Sequence, residues 1–265
     1  SREEEERDEG STVLHHDHPV FLDLGKRPWK ARVVARRDDL DVSHMAAARH
    51  GDEIAWVFGL VAWNDAVPAT RLGFGRAQCG TAPNVVATEI SCASVAHVAT
   101  KDGSLALVAT TAQADLWSLG KSGPPQKVLA DVAVAKNRRK LSSMRISRLR
   151  DGLLFAWYVT PNGSYDAGGD LFARTASTEL SDVGPVVQLA RVDEAAWDEW
   201  RVDDVGDGAL VLFGSGEAGD RPKQLRVRER ADIEGEARTI PGKLPVAVAV
   251  TRKGVVAVTA KHSGG

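Results

Sequence analysis

A group of residues able to do acid–base chemistry lies in the stretch 198–204, which reads Asp-Glu-Trp-Arg-Val-Asp-Asp. Asp198 and Asp203 place carboxylates on either side of Trp200 and Arg201. Two carboxylates that flank a glycosidic bond can hydrolyse it, and their separation sets the stereochemical outcome. The alternative is an acidic, solvated rim around an edge tryptophan, and the sequence favours this second interpretation.

A dense basic cluster precedes this stretch. It begins with the run 136–140 (KNRRK) and continues through Arg145. Guanidinium groups bind carboxylates and phosphates in a bidentate manner, so Arg145 is a candidate contact for an anionic glycan or an acidic partner. The alternative, a solvated loop whose charge balances acidic neighbours, has more support.

Two histidines and one tyrosine are further candidates. His44 and His97 occupy corresponding positions of two repeats, and two imidazoles hold a metal only with a third ligand nearby. The alternative is a pair of hydrogen-bonded histidines in a structural wall, and no metal site is predicted. Tyr165 lies in the glycine-rich loop 160–169, where it could stack on a sugar or simply belong to a long turn.

The two cysteines, Cys79 and Cys92, are separated by twelve residues that read as a turn followed by a strand. A disulfide between them would fit a secreted or periplasmic protein, whereas two unrelated reduced cysteines would fit any compartment. The sequence leaves both possibilities open. It contains no nucleophile elbow, zinc-protease motif or phosphate-binding loop, so we predict no activated nucleophile and no cofactor.

The elements that would position these residues form a repeat of β-hairpins. An alternating strand, a turn and a strongly apolar strand recur, with Asp52, Asp102, Asp151, Asp207 and Lys253 in register at spacings of 50, 49, 56 and 46 residues. This period fits a blade of four short strands. The five copies span residues 44–59, 95–110, 144–159, 200–215 and 246–261.

A second type of hairpin follows each of the first four copies, at residues 71–90, 116–130, 171–190 and 225–240. Another such hairpin, 21–35, opens the chain, and a lone hairpin of the first type closes it. These two halves add up to one blade. We therefore predict an all-β fold, a five-bladed β-propeller whose last blade combines N- and C-terminal strands and leaves no free sheet edge.

The segments DGLLFAWYV and DLFARTAS in the third unit resemble strands of the β-propeller superfamily, and secreted bacterial sialidase-like or BNR-like propellers in particular. The resemblance covers residues 20–261 and concerns architecture, because the signature motifs of named subfamilies are absent. It implies a ligand surface at the loops around the inner strands, but no catalytic residue is transferred from any family.

Composition narrows the range of partners. Hydrophobic residues make up 43% of the chain, and 34 basic residues nearly balance 36 acidic ones. With 6% aromatic residues and no positive excess, we expect no nucleic-acid ligand. No apolar run is long enough for a transmembrane helix. We predict an acidic, flexible arm over residues 1–17 and a single propeller domain over residues 18–265.

Three functions remain. The first is a non-enzymatic binding or scaffold protein, secreted or periplasmic, that recognises a protein or glycan on its loop face. The second is a carbohydrate-active enzyme with carboxylates at the mouth of the channel. The third is a structural subunit of a larger assembly, whose oligomeric state the sequence does not define. The absence of a catalytic constellation favours the first.

Overall fold

The computed structural model of the chain describes residues 2–4, 15–17, 20–23, 30–33, 40–50, 52–62, 69–78, 86–100, 103–120, 124–135, 139–161, 169–192, 200–214, 223–240, 245–251 and 254–259. Nearly all of these residues lie in β-strands. None of the helices in this part of the chain has the length and apolar character needed to span a membrane.

Four four-stranded antiparallel sheets make up most of the fold. The first contains β5 (Leu40–His50), β6 (Glu53–Ala62), β7 (Ala69–Gln78) and β8 (Val86–Ser91). The second contains β9 (Ser94–Thr100), β10 (Gly103–Ala109), β11 (Gln113–Gly120) and β12 (Gln126–Val134).

The third sheet contains β13 (Lys140–Arg148), β14 (Gly152–Thr160), β15 (Gly169–Ser177) and β16 (Val187–Val192). The fourth contains β17 (Trp200–Asp204), β18 (Ala209–Phe213), β19 (Lys223–Val227) and β20 (Arg238–Thr239). A short 3₁₀ helix, Arg230–Glu234, connects β19 to β20.

Three two-stranded sheets complete the described strands. They pair β1 (Arg2–Glu4) with β2 (His15–Asp17), β3 (Val20–Asp23) with β4 (Lys30–Val33), and β21 (Pro245–Thr251) with β22 (Gly254–Thr259).

The hairpins predicted from the repeat are confirmed. Each copy of the first type forms the first two strands of a sheet, as in the register that pairs Met144 with Trp157. The four hairpins of the second type that follow the first four copies form the third and fourth strands. The fold is all-β, and its four antiparallel sheets are consistent with a propeller-like fold. The terminal hairpins β3–β4 and β21–β22 form separate two-stranded sheets here, so five blades and their closure stay a prediction.

The chain separates into two compact units. One comprises Ser1–Thr110 and Leu116–Lys127, and the other comprises Thr111–Asp115 and Val128–Gly265. The predicted boundary between a flexible arm and a single domain at residue 17 stays a prediction, although Arg2–Glu4 pair with His15–Asp17.

The second strand of each sheet is the most buried. All nine residues of β14 and all five of β18 are buried, because each strand has neighbours on both edges and packing on both faces. Leu154, Ala156 and Tyr158 face the cluster that contains Trp200 and Phe213 of the fourth sheet. Because side chains alternate along a strand, Phe155 and Trp157 face the opposite side.

The structure explains why a glycine follows the turn aspartate of the third sheet. Asp-Gly is typical of tight turns in which the glycine adopts a positive φ. Gly103 and Gly208 adopt a positive φ, at +158° and +159°, but Gly152 does not. Instead, it begins β14 so close to β15 that a Cβ would lie 2.0 Å from the carbonyl oxygen of Ala176. The glycine therefore permits the close approach of the third strand.

Candidate ligand-binding site

The first strands of the third and fourth sheets, β13 and β17, lie against each other. The indole Nε1 of Trp200 donates to Ser143 Oγ at 3.2 Å, and Ser147 Oγ donates to a carboxylate oxygen of Asp204. Ser143 and Ser147 share one face of β13 because they are four residues apart in an extended strand. These two bonds hold the strands in register and position the residues between them.

Arg145 lies between the two serines, over the ring of Trp200. Its guanidinium carbon is 5.4 Å from the ring centroid, a geometry in which the ring quadrupole attracts the cation. Trp200 is only 6% exposed, whereas Arg145 remains accessible to solvent. Arg145 Nη1 donates to the carbonyl oxygen of its neighbour Met144 at 2.8 Å. The indole thus supports a guanidinium whose remaining N–H groups are available to a ligand.

Arg201 and Asp203 form an ion pair on the other face of β17 from Trp200. Arg201 Nη2 lies 2.5 Å from Asp203 Oδ1, and the side chain of Asp203 is 19% exposed. Partial burial lowers the pKa of Arg145, the positive charge of Arg201 lowers it further, and the negative charge of Asp203 opposes both effects. No carboxylate in the described part of the chain lies within ion-pair distance of Arg145. An anionic ligand group placed there would supply the missing negative charge.

The two acidic residues of β17 do not converge. Asp203 and Asp204 are consecutive in an extended strand, so their side chains point to opposite faces. Asp203 binds Arg201, while Asp204 accepts from Ser147 on the adjacent strand. This pair alone cannot provide the two cooperating carboxylates of a glycosidase. The arrangement is suited to binding an anion.

Of the eight ligand-binding candidates, Arg145 and Trp200 are in contact, while Arg201 and Asp203, on the opposite face of β17, act on Arg145 through their charges. Asp198 and Tyr165 lie outside the described residues, and for His44 only the backbone in β5 is described. Ser143 and Ser147 were not predicted from the sequence. Each binds a residue 57 positions further along the chain. This distance is close to the 56-residue spacing of the third and fourth repeats, so aligning the repeats could have found them.

His97 lies in β9, away from this cluster in sequence. Both of its ring nitrogens are buried and lack a hydrogen-bond partner among the described residues. Burial lowers its pKa to about 3, with a smaller contribution from the charge of Arg76. The imidazole is therefore neutral near pH 7 and lies next to Ala106 on the neighbouring strand. The residues that the structure describes contain no group of three side chains able to hold a metal ion.

The cysteine pairing stays a prediction, because Cys79 lies outside the described residues. In the structure Cys92 is a free, buried thiol. Its Sγ is 3.6 Å from the carbonyl oxygen of Ser94, to which it donates. Burial raises the pKa of Cys92 to about 12, and the Ser94 bond offsets only part of this effect.

Comparison with known proteins finds similarity in structure but not in sequence. No protein-family model and no curated protein sequence matches the chain. Among solved structures, the GH32 β-fructofuranosidase of Bombyx mori matches with a TM-score of 0.46 and 12% identity, over 77% of this chain and 50% of that one. An acylaminoacyl peptidase of Pyrococcus horikoshii matches with a TM-score of 0.46 and 13% identity, over 77% of this chain and 33% of that one. This chain thus spans about half of the first protein and a third of the second, and neither likeness carries an argument about function.

Proposed function

We propose that this chain is a non-enzymatic binding propeller that recognises a carboxylate-bearing group of a protein or glycan through Arg145. The observation that carries the proposal is the Arg145 guanidinium, which lies over the ring of a buried tryptophan and has no carboxylate partner among the described residues. A ligand carboxylate would take the place of that partner.

The chemistry of the guanidinium supports an anionic ligand. The cation–π contact with Trp200 uses none of the N–H donors of the guanidinium, and the Met144 carbonyl takes one N–H of Nη1. The N–H donors that remain match the oxygens of a carboxylate. Ser143 holds the indole in place through Nε1, so the guanidinium is ordered before the ligand arrives. Such preorganisation reduces the entropy lost on binding.

The proposal extends to the whole chain. It includes five blades, with β22 beside β3 in the blade that closes the ring, and a location outside the cytoplasm. The paired terminal hairpins support five blades closed by both chain ends. The resemblance to secreted propellers supports a location outside the cytoplasm.

The alternative function is a carbohydrate-active enzyme. One observation favours it: Asp203 Oδ2 is buried and has no hydrogen-bond partner among the described residues. This oxygen could face a substrate, but a second carboxylate is required, and Asp198 would have to supply it. Catalysis would therefore depend on both Asp198 and Asp203.

Binding to acidic probes tests the proposal. The probes are hexagalacturonate, 3′-sialyllactose and a glutamate-rich decapeptide, with cellohexaose as the neutral control. We expect at least one acidic probe to bind and Arg145→Gln to weaken that binding about tenfold, which is the range for a charge-assisted hydrogen bond. Affinities are measured by isothermal titration calorimetry at low ionic strength.

Arg148→Gln is the matched control. Arg148 lies on the same strand and is exposed, but it is three residues from Arg145 and faces the other side of β13. Its removal should leave the affinity within about twofold of wild type. Equal losses in both variants would indicate a general charge effect and contradict a site at Arg145.

A further inference from the structure

We propose a second site, independent of the Arg145 cluster: a groove lined by Trp157, Phe172 and Arg174 binds a small hydrophobic carboxylic acid. The groove encloses about 420 Å³ beside the end of β12. This volume falls within the range of small-molecule sites. It lies on the face of the third sheet opposite to Arg145, because Trp157 and Arg145 belong to opposite faces of the β13–β14 ladder.

The floor of the groove is aromatic. Trp157 of β14 and Phe172 of β15 are direct cross-strand partners, and their rings stack with centroids 6.0 Å apart and an interplanar angle of 26°. Two valines that also line the groove, Val134 and Val186, are unusually exposed for their type, at 44% and 52%. Apolar surface open to solvent beside an aromatic floor favours an apolar ligand body.

Arg174 supplies the charge. Its Nε and Nη2 donate to the carbonyl oxygen of Gly184 at 3.2 and 2.9 Å, and its Nη1 donates to the carbonyls of Asp131 and Val132 at 3.3 and 3.4 Å. Every acceptor is a neutral carbonyl. Among the described residues no carboxylate lies within ion-pair distance of Arg174, and burial lowers its pKa. The charge is thus held in place without being neutralised.

The donor count indicates a carboxylate. A guanidinium has five N–H donors. The bonds to Gly184 use the Nε–H and one N–H of Nη2, and the two long contacts of Nη1 can share one hydrogen. One N–H therefore remains on each terminal nitrogen of Arg174. This side-by-side pair matches the two oxygens of a carboxylate.

Two more donors of the groove lack acceptors. Trp157 is 1% exposed, and its buried Nε1–H has no acceptor in the described part of the chain; the same holds for Nε of Arg139. The charge of Arg139, in contrast, is compensated by Asp170, which also accepts from Gln188 at 3.0 Å. Buried donors without acceptors are costly, and an acceptor-rich ligand would satisfy them. The positive charge, the unpaired donors and the apolar walls thus all favour a hydrophobic carboxylic acid.

The test compares 4-phenylbutyrate with its uncharged analogue 4-phenylbutan-1-ol by isothermal titration calorimetry. We expect the acid to bind at least tenfold more tightly than the alcohol. Val134→Glu places a negative charge on the rim of the groove and should weaken binding of the acid about tenfold. Val128→Glu is the matched control, since Val128 is also exposed on β12 but does not line the groove, and it should change the affinity less than twofold.

Arg174→Met should abolish the preference for the acid. If this variant fails to fold, Val134→Glu still tests the binding site, because a substitution of an exposed side chain leaves the fold intact. The indole resonance of Trp157, identified with Trp157→Phe in ¹⁵N-tryptophan-labelled protein, should move on titration, while that of Trp200 should not. The proposal is overturned if neither compound binds, or if the acid and the alcohol bind with equal affinity. It is also overturned if the two glutamate variants bind the acid equally, or if the resonance of Trp200 moves instead of that of Trp157.

Discussion

At the scale of single residues, three arginines of the third sheet differ in the groups that hold their guanidinium groups in place. Arg139 binds Asp170, whereas Arg145 rests on an indole and Arg174 on backbone carbonyls. Each of the latter two is ordered by neutral groups and has no carboxylate partner among the described residues. Removing charge from water without a counter-charge costs free energy. The two proposed sites therefore lie where the fold leaves a positive charge unpaired.

The thiol of Cys92 gives a prediction at this scale. Only the thiolate reacts with disulfide reagents, and burial raises the pKa of Cys92 to about 12. At pH 8 we expect native Cys92 to react with a chromogenic disulfide reagent about a thousandfold more slowly than an unperturbed thiol. Absorbance stopped-flow measurements on a Cys79→Ser variant isolate this rate.

The same reagent tests the cysteine pairing. In wild-type protein unfolded in guanidinium without reductant, a free Cys92 predicts two reactive thiols. A count of zero would instead reveal the Cys79–Cys92 disulfide that the sequence left open. Rapid reaction of Cys92 in the native Cys79→Ser variant would contradict its burial.

Among the site residues, the sequence identified those that form an unusual local cluster. Trp200, Arg201 and Asp203 were predicted because charge surrounds an aromatic residue within a few positions. Arg174 was not predicted, since a single arginine in an alternating strand is common on solvated faces. Its importance depends on carbonyls of Asp131 and Gly184, and sequence patterns do not reveal which carbonyls a side chain reaches.

At the scale of elements, the turn aspartates connect successive hairpins of the third and fourth sheets. Asp151 Oδ1 accepts from the backbone N–H of Arg230 at 2.9 Å. Asp207 accepts from Arg226 and Arg150. The bond from Arg226 lowers the pKa of Asp207 most, and the positive charges of Arg226, Arg228 and Arg150 lower it further. The sequence predicted these turns through their spacing. It could not predict which residues the two carboxylates bind, because their partners lie in other hairpins or strands.

The glycines of these turns provide a matched pair. Gly152→Ala places a methyl group against the Ala176 carbonyl, while Gly206 has a φ of +80° and nothing within 4 Å of an added Cβ. We expect Gly152→Ala to lower the free energy of unfolding by roughly 3 kcal/mol through overpacking. Gly206→Ala should lower it by about 1 kcal/mol through backbone strain alone. Urea midpoints measure both.

The comparison separates two costs of adding a side chain to a turn glycine. If Gly206→Ala proved the more damaging variant, backbone conformation rather than close packing would set the cost of a side chain in these turns. A larger loss for Gly152→Ala supports close packing between the second and third strands. The first repeat has Glu53 at the corresponding position, so the close approach is not needed in every sheet.

At the scale of the whole molecule, the repeat predicted the four sheets well because strand alternation and turn residues are local signals. Closure of a ring depends on strands at opposite ends of the chain, and no local pattern determines their pairing. We propose that β22 lies beside β3. Neighbouring strands are about 4.8 Å apart, so spin labels on Arg32 of β4 and Thr259 of β22 should lie within about 25 Å.

Double electron–electron resonance on a variant without native cysteines measures that distance. Singly labelled proteins control for contacts between molecules. A single population beyond about 40 Å would place the terminal hairpins in different sheets, since two strand spacings cannot produce it. Five blades closed by both chain ends would then be wrong.

The central claim is that this protein binds a carboxylate-bearing ligand and leaves it intact. The most direct test incubates the acidic oligosaccharide that binds best with wild-type protein and with Asp203→Asn, and follows its integrity by mass spectrometry while calorimetry records binding. The account predicts saturable binding that depends on Arg145 and an intact oligosaccharide with both proteins. Hydrolysis by wild-type protein that Asp203→Asn abolishes would contradict it and establish the enzyme instead.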